Sequence, residues 1–185
     1  MRRFLLPLPL FLAAACTTEG PAPTHASAGA EAGAGMVDEA TARRAVLRPA
    51  DGDCDLSTPL VPGVPGSPGH RIASARNPNG DSELSFLMRH FVDDLQQARA
   101  ALERGDAPAA ALLPVHRRMR CAWPTKPSER NEAYDEMARV YLETVGAFDR
   151  DPSKAGYNAV VQSCVSCHTM TCSSVIVAID QLRWD

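Results

Sequence analysis

Several absences narrow this sequence before any motif does. Past its first dozen or so residues, no apolar run approaches the ~20 residues a helix needs to cross a bilayer. There is no basic surplus either, with 19 Lys and Arg against 22 Asp and Glu and a formal net charge of −3. Binding to a phosphate backbone needs a basic face, so the balance argues against nucleic acid as a partner. No stretch of useful length alternates apolar and polar residues, so no sheet is expected.

What is present begins at the N-terminus, which reads MRRFLLPLPLFLAAAC. Arg2 and Arg3, the apolar stretch from Phe4 to Leu12 and the small residues Ala13 to Ala15 follow the order of a secretory signal, expected to occupy residues 1–15. Ala-Ala-Ala-Cys resembles the lipobox of bacterial lipoproteins. The resemblance implies that Cys16 is acylated and becomes the mature N-terminus. Thr17 stands where an Asp often signals inner-membrane retention. The expected location is therefore the periplasmic side of a bacterial membrane, lipid-anchored, with the outer membrane favoured. Loss of Arg2 and Arg3 leaves 17 basic against 22 acidic side chains, a formal charge of −5, which is compatible with docking to basic partners.

The segment TTEGPAPTHASAGAEAGAG has no apolar periodicity and too little to bury against its ordering entropy. Residues 16–50 are expected to be an acylated, disordered tether, with a short helix within 37–50 as one element. Residues 51–80 are a Pro/Gly-rich loop segment, since TPLVPGVPGSPGH holds four prolines and three glycines.

Residues 81–185 are expected to form the folded domain. Leu84, Leu87, Met88, Phe91, Val92, Leu95, Ala98 and Leu102 make one helical stripe, capped by Asp81 or Ser82 and stopped by Gly105. A shorter helix from Asp106 through Met119 is predicted, kinked at Pro114. Ser128 is the expected cap of a third, striped by Tyr134, Met137, Ala138, Tyr141, Leu142, Val145 and Phe148. Asp151-Pro152 opens a fourth, running through to Leu182. Four helices with short connections pack as an antiparallel bundle, so the expected class is all-α.

Cys164-Val165-Ser166-Cys167-His168 is the C-x-x-C-H pattern of covalent haem attachment. Its two sulfurs leave one side of a helix and add to the vinyl groups of one porphyrin edge, while the next imidazole turns onto the iron. Three rivals are weaker. A thioredoxin-like pair belongs beside a βαβ pattern, which is absent. A zinc site using Cys164, Cys167, His168 and Cys172 lacks a second pair of ligands at matching spacing. A Cys164–Cys167 disulfide leaves His168 unexplained. One haem c is therefore expected. The low aromatic content, 5%, is consistent with a large flat cofactor filling core volume.

A C-x-x-C-H on the last of four helices resembles the cytochrome c prime superfamily, including its low-spin members. The resemblance covers residues 81–185 and also rests on Met88 in the first helix. It implies a single-electron carrier rather than an enzyme, redox partner proteins, a homodimer through the first two helices, and Met88 as the distal ligand opposite His168. Many members carry an aromatic residue three places and an Arg four places after the ligand histidine, where this chain has Thr171 and Cys172. That departure weakens the gas-ligand behaviour associated with the Arg, although a five-coordinate haem binding nitric oxide or carbon monoxide stays as the alternative.

Met88 also has a plain reading as core filler. His116, among apolar neighbours, is its rival for the sixth position. His90 lies roughly 200° around the helix from Met88 and is expected in solvent. Met119 and Met137 are weaker candidates, and His25 and His70 have no special claim. Cys54, Cys121 and Cys172 remain. Cys121 with Cys172 is the candidate disulfide, with buried free thiols as the alternative.

Overall fold

A computed structural model describes residues 35–185. The expected signal segment, the lipidation site Cys16 and His25 lie outside the described residues. The described residues fold as an all-helical unit: α1 spans Glu39–Val46, α2 Glu83–Glu103, α3 Leu113–His116, α4 Glu132–Arg150, α5 Lys154–Thr171 and α6 Ile176–Asp180. Among the described residues no helix is long and apolar enough to cross a membrane.

Local chemistry sets the helix ends. Ser82 caps α2 by accepting from Ser85 N–H at 3.1 Å, and Gly105 follows α2 with φ +80°. Asn131, not Ser128, caps α4, because Pro127–Glu129 is a separate 3-10 turn. Ser153, just after the expected Asp151-Pro152, caps α5.

Two expected helices are cut short. The second is irregular from Asp106 to Leu112, and only α3 and a 3-10 turn, Arg117–Cys121, are helical. Pro114 does not kink a longer helix; it sits in the first turn of α3, where its missing N–H costs nothing. The orphan N–H groups of Leu112 and Leu113 are taken by the Asp149 carboxylate at 2.9 and 2.8 Å. A side chain from α4 thus sets where α3 begins.

The last helix stops at Thr171 rather than running to Leu182. Thr169 and Thr171 bond back to the carbonyls of Val165 and Cys167, a habit that weakens helix continuation, and Cys172 leaves helical geometry at φ −144°. The chain then folds back. Tyr157 donates to the Leu182 carbonyl at 2.9 Å, and Asn158 bonds both backbone groups of Trp184.

The core lies between α2, α4 and α5. Leu87, Leu95, Ala138, Val145, Phe148, Tyr157, Val160 and Val161 are almost wholly buried there. The folded body starts earlier than the sequence suggested. Asp38 caps α1, which buries Ala42 and Val46, and Val37 bridges to Ile72. Residues 37–48, expected within the tether, therefore belong to the folded body, with Ala42 and Val46 in its core.

The Pro/Gly segment is a seated loop. The Gly66 carbonyl accepts from Glu83 N–H at 3.3 Å, and a Cβ on Gly66 would come within 2.1 Å of that nitrogen. Its φ of +89° adds a second reason for glycine. Below it, buried Glu83 pairs with Arg118 and accepts from Trp123 N–H. Burial outweighs both partners and raises the Glu83 carboxyl above its usual range.

Candidate functional site

The C-x-x-C-H motif occupies the last two turns of α5. Cys164 and Cys167 are free thiols three residues apart, Cys167 buried and Cys164 half-buried. Both thiols are driven upward by burial, Cys164 to about 12, which holds them protonated at neutral pH. A reactive redox thiol has a lowered value, usually beside a cation. Here the opposite holds. Residues 155 to 179 contain no Asp, Glu, Lys or Arg at all.

His168 is half-buried, and burial lowers its imidazole below the ordinary value, keeping it neutral, the form that binds a metal. Its Nδ1 is buried with no hydrogen-bond partner. Among the described residues no group of three or more His, Cys, Asp or Glu converges as a metal cage, so the four-ligand zinc arrangement is not assembled. Two thiols and an unsatisfied imidazole on one helix do match the donor set for a covalently held haem.

The sequence's other candidates fall into separate places. Met88 is half-buried on α2 and packs at the border of the core that Cys164 also borders. His116 is wholly buried and already committed. Its Nε2 lies 3.2 Å from Asp94 Oδ2, its Nδ1 lies 2.8 Å from the Tyr141 hydroxyl, and its ring stacks on Phe91 at 3.8 Å. Ligating a metal would cost it one of those bonds, so His116 is a poor sixth ligand. His90, expected in solvent, is only 20% exposed; its Nε2 sits 3.4 Å from Asp94 and its Nδ1 is buried without a partner. Met119 is core filler.

The expected disulfide is corrected. Cys121 bonds to Cys54, with Cα atoms 5.4 Å apart, and not to Cys172. The reason is the loop: Arg130 draws the carbonyls of Asp55, Leu56 and Thr58 toward that of Arg120, bringing Cys54 alongside Cys121.

Sequence reading missed Tyr141 and Asp94. Tyr141 read as one more stripe residue, yet its hydroxyl bonds His116 and lies beside the Cys164 thiol. Its signal was weak but real, since a buried tyrosine hydroxyl needs a partner. Asp94 stands four residues after His90, the helix spacing for a pair.

Two surface cavities lie elsewhere. One of about 470 Å³ is lined by Arg43, His90, Asp93, Gln96, Gln97 and Ala100. The other, about 320 Å³, lies between α3 and α4 with Arg117, Arg120, Arg139 and Arg150 in its wall. Neither is lined by Cys164, Cys167 or His168.

No protein-family model matches this chain, and no curated protein or solved structure matches it either.

Proposed function

We propose that this chain is an exported, lipid-anchored monohaem c-type cytochrome that carries single electrons between redox partner proteins. The observation that carries the reading is the motif itself: two free thiols and an adjacent neutral imidazole, placed where α5 leaves the core. Cys164 and Cys167 hold the porphyrin by thioether bonds, and His168 is the proximal ligand. Met88 is the distal ligand, a soft donor at the border of the core that Cys164 also borders, while His116 is already committed to Asp94 and Tyr141. The haem supplies a one-electron couple when bound, and His/Met ligation favours a higher potential than an open site.

The chain's own residues do the rest. Raised thiol values keep both cysteines from premature oxidation through their thiolates, and the protonated thiol is the group whose S–H adds across a vinyl bond. The charge-free run from 155 to 179 gives the iron a low-dielectric wall. In this reading the α3 segment stands in for the second helix of a bundle like that of the cytochrome c prime superfamily. Anchoring through Cys16 holds the carrier at the periplasmic face of the outer membrane.

The test is expression with a working haem-maturation apparatus, followed by intact mass and optical spectra in both oxidation states. The expected result is one covalent haem and a low-spin spectrum, turned high-spin by Met88→Ala. A colourless protein of unmodified mass overturns the reading. A high-spin wild-type spectrum that responds to carbon monoxide replaces the electron carrier by a five-coordinate gas-binding protein.

A further inference from the structure

Asp94, His116 and Tyr141 form a hydrogen-bonded row across α2, α3 and α4, and the Tyr141 hydroxyl lies beside the Cys164 thiol of α5. The Asp94 carboxylate is partly exposed, at 20%, while the imidazole it meets is wholly buried. His90, which also pairs with Asp94, lines the 470 Å³ groove. One end of the row therefore opens to water. The other end lies beside the sulfur that the proposed function ties to the porphyrin.

From this placement we infer that His116 is a proton-binding site linked to the haem, so that the protein carries a proton together with its electron. The inference rests on the haem reading above. The geometry accommodates both protonation states of the imidazole. When neutral, Nε2–H donates to Asp94 and Nδ1 accepts from the Tyr141 hydroxyl. When protonated, both nitrogens donate: Asp94 still accepts, the Tyr141 oxygen accepts at Nδ1, and the Tyr141 O–H turns toward the Cys164 sulfur. No polar group is orphaned by the change. A buried histidine kept only for packing needs no such second set of acceptors.

The charge balance closes. One electron arrives from a one-electron donor protein, one proton enters from water on the Asp94 side, and His116 ends as imidazolium. The facing groups decide the direction. Burial holds the imidazole neutral, and His90 on α2 opposes the proton; Asp94 on α2 and Asp149 on α4 favour it. Tyr141 on α4 stays protonated, because burial raises it, and Cys164 on α5, once bound as a thioether, carries no proton to lose. Arg117, the next residue, is turned outward to Asp53. Negative charge added beyond Cys164 joins the favourable side and tightens proton binding.

The experiment is spectroelectrochemical titration of the intact haem protein between about pH 5 and pH 8, the range in which histidine changes charge. The wild-type potential should fall as pH rises through one window and level off on either side. Each tenfold tightening of His116 for its proton on reduction separates the two plateaus by about 59 mV. His116→Gln should flatten the curve. Tyr141→Phe, which keeps the ring and removes the second acceptor, should move the window to lower pH. Imidazole nitrogen signals of His116, recorded in both oxidation states, should show the proton gained on reduction without any substitution. A haem-bearing protein whose potential ignores pH overturns this inference alone, as does a slope that survives in His116→Gln. A protein that never acquires haem overturns the proposed function, and this inference with it.

Discussion

The two halves of α5 are buried to different extents. Tyr157, Val160 and Val161 in its first half are wholly buried against α4 and the returning C-terminus. From Cys164 onward only Cys167 is buried, and Met170 stands 66% exposed although nothing charged lies near it in sequence. Packing among the described residues leaves this apolar, uncharged turn partly open. Under the proposed function, a covalently held haem would cover it. The first half holds the fold, and the second half carries the proposed chemistry.

Substitutions sharpen the contrast. Phe148→Ala, in the α4 wall that covers the first half, should cost about 3–5 kcal/mol in urea unfolding, because Phe148 is 1% exposed. Val165→Ala, in the second half, should cost less than about 1 kcal/mol in protein lacking haem, because Val165 is already half-open. Equal losses at the two sites would erase the distinction. Cys164→Ser probes the chemistry instead. It should leave the protein coloured through Cys167 alone, with a denatured-haem spectrum shifted by the unreacted vinyl group, and with little change in unfolding midpoint.

The smallest effect is a pH dependence. Burial lowers His116 below its ordinary 6.5, so the unfolded chain binds this proton more tightly than the folded one. Its contribution to stability is complete above that ordinary value and declines as pH falls toward the lowered one. In unfolding measured across that interval, His116→Gln should show a shallower acid loss than wild type. An identical slope would show that another group is responsible.

Residues differ in how openly the sequence declares them. The stripes of α2 and α4 and the stop at Gly105 follow from spacing and local propensity, and the structure has them. The Cys164-Val165-Ser166-Cys167-His168 pattern is equally plain in the sequence, and the structure sets it on one helix, α5. What stayed hidden depends on contacts distant in the chain. The start of α3 is set by Asp149, and the partner of Cys121 is set by Arg130 gathering a loop some seventy residues away in sequence. The break at Cys172 sits between, because Thr169 and Thr171 hinted at it while the strong apolar spacing of Val175, Ile176 and Ile179 argued for continuation. The buried row through Tyr141 needed both helix packing and α3 in place before it existed at all.

The Arg130 clasp has one more effect. Its guanidinium is held by neutral carbonyl oxygens of Asp55, Leu56, Thr58 and Arg120, not by a carboxylate. Mobile ions screen attraction between exposed opposite charges, but they have little purchase on a cation seated among backbone dipoles. Brine that loosens the exposed pairs of Arg139 with Glu136 and Glu143 on α4 should leave the arch over the Cys54–Cys121 bridge where it is.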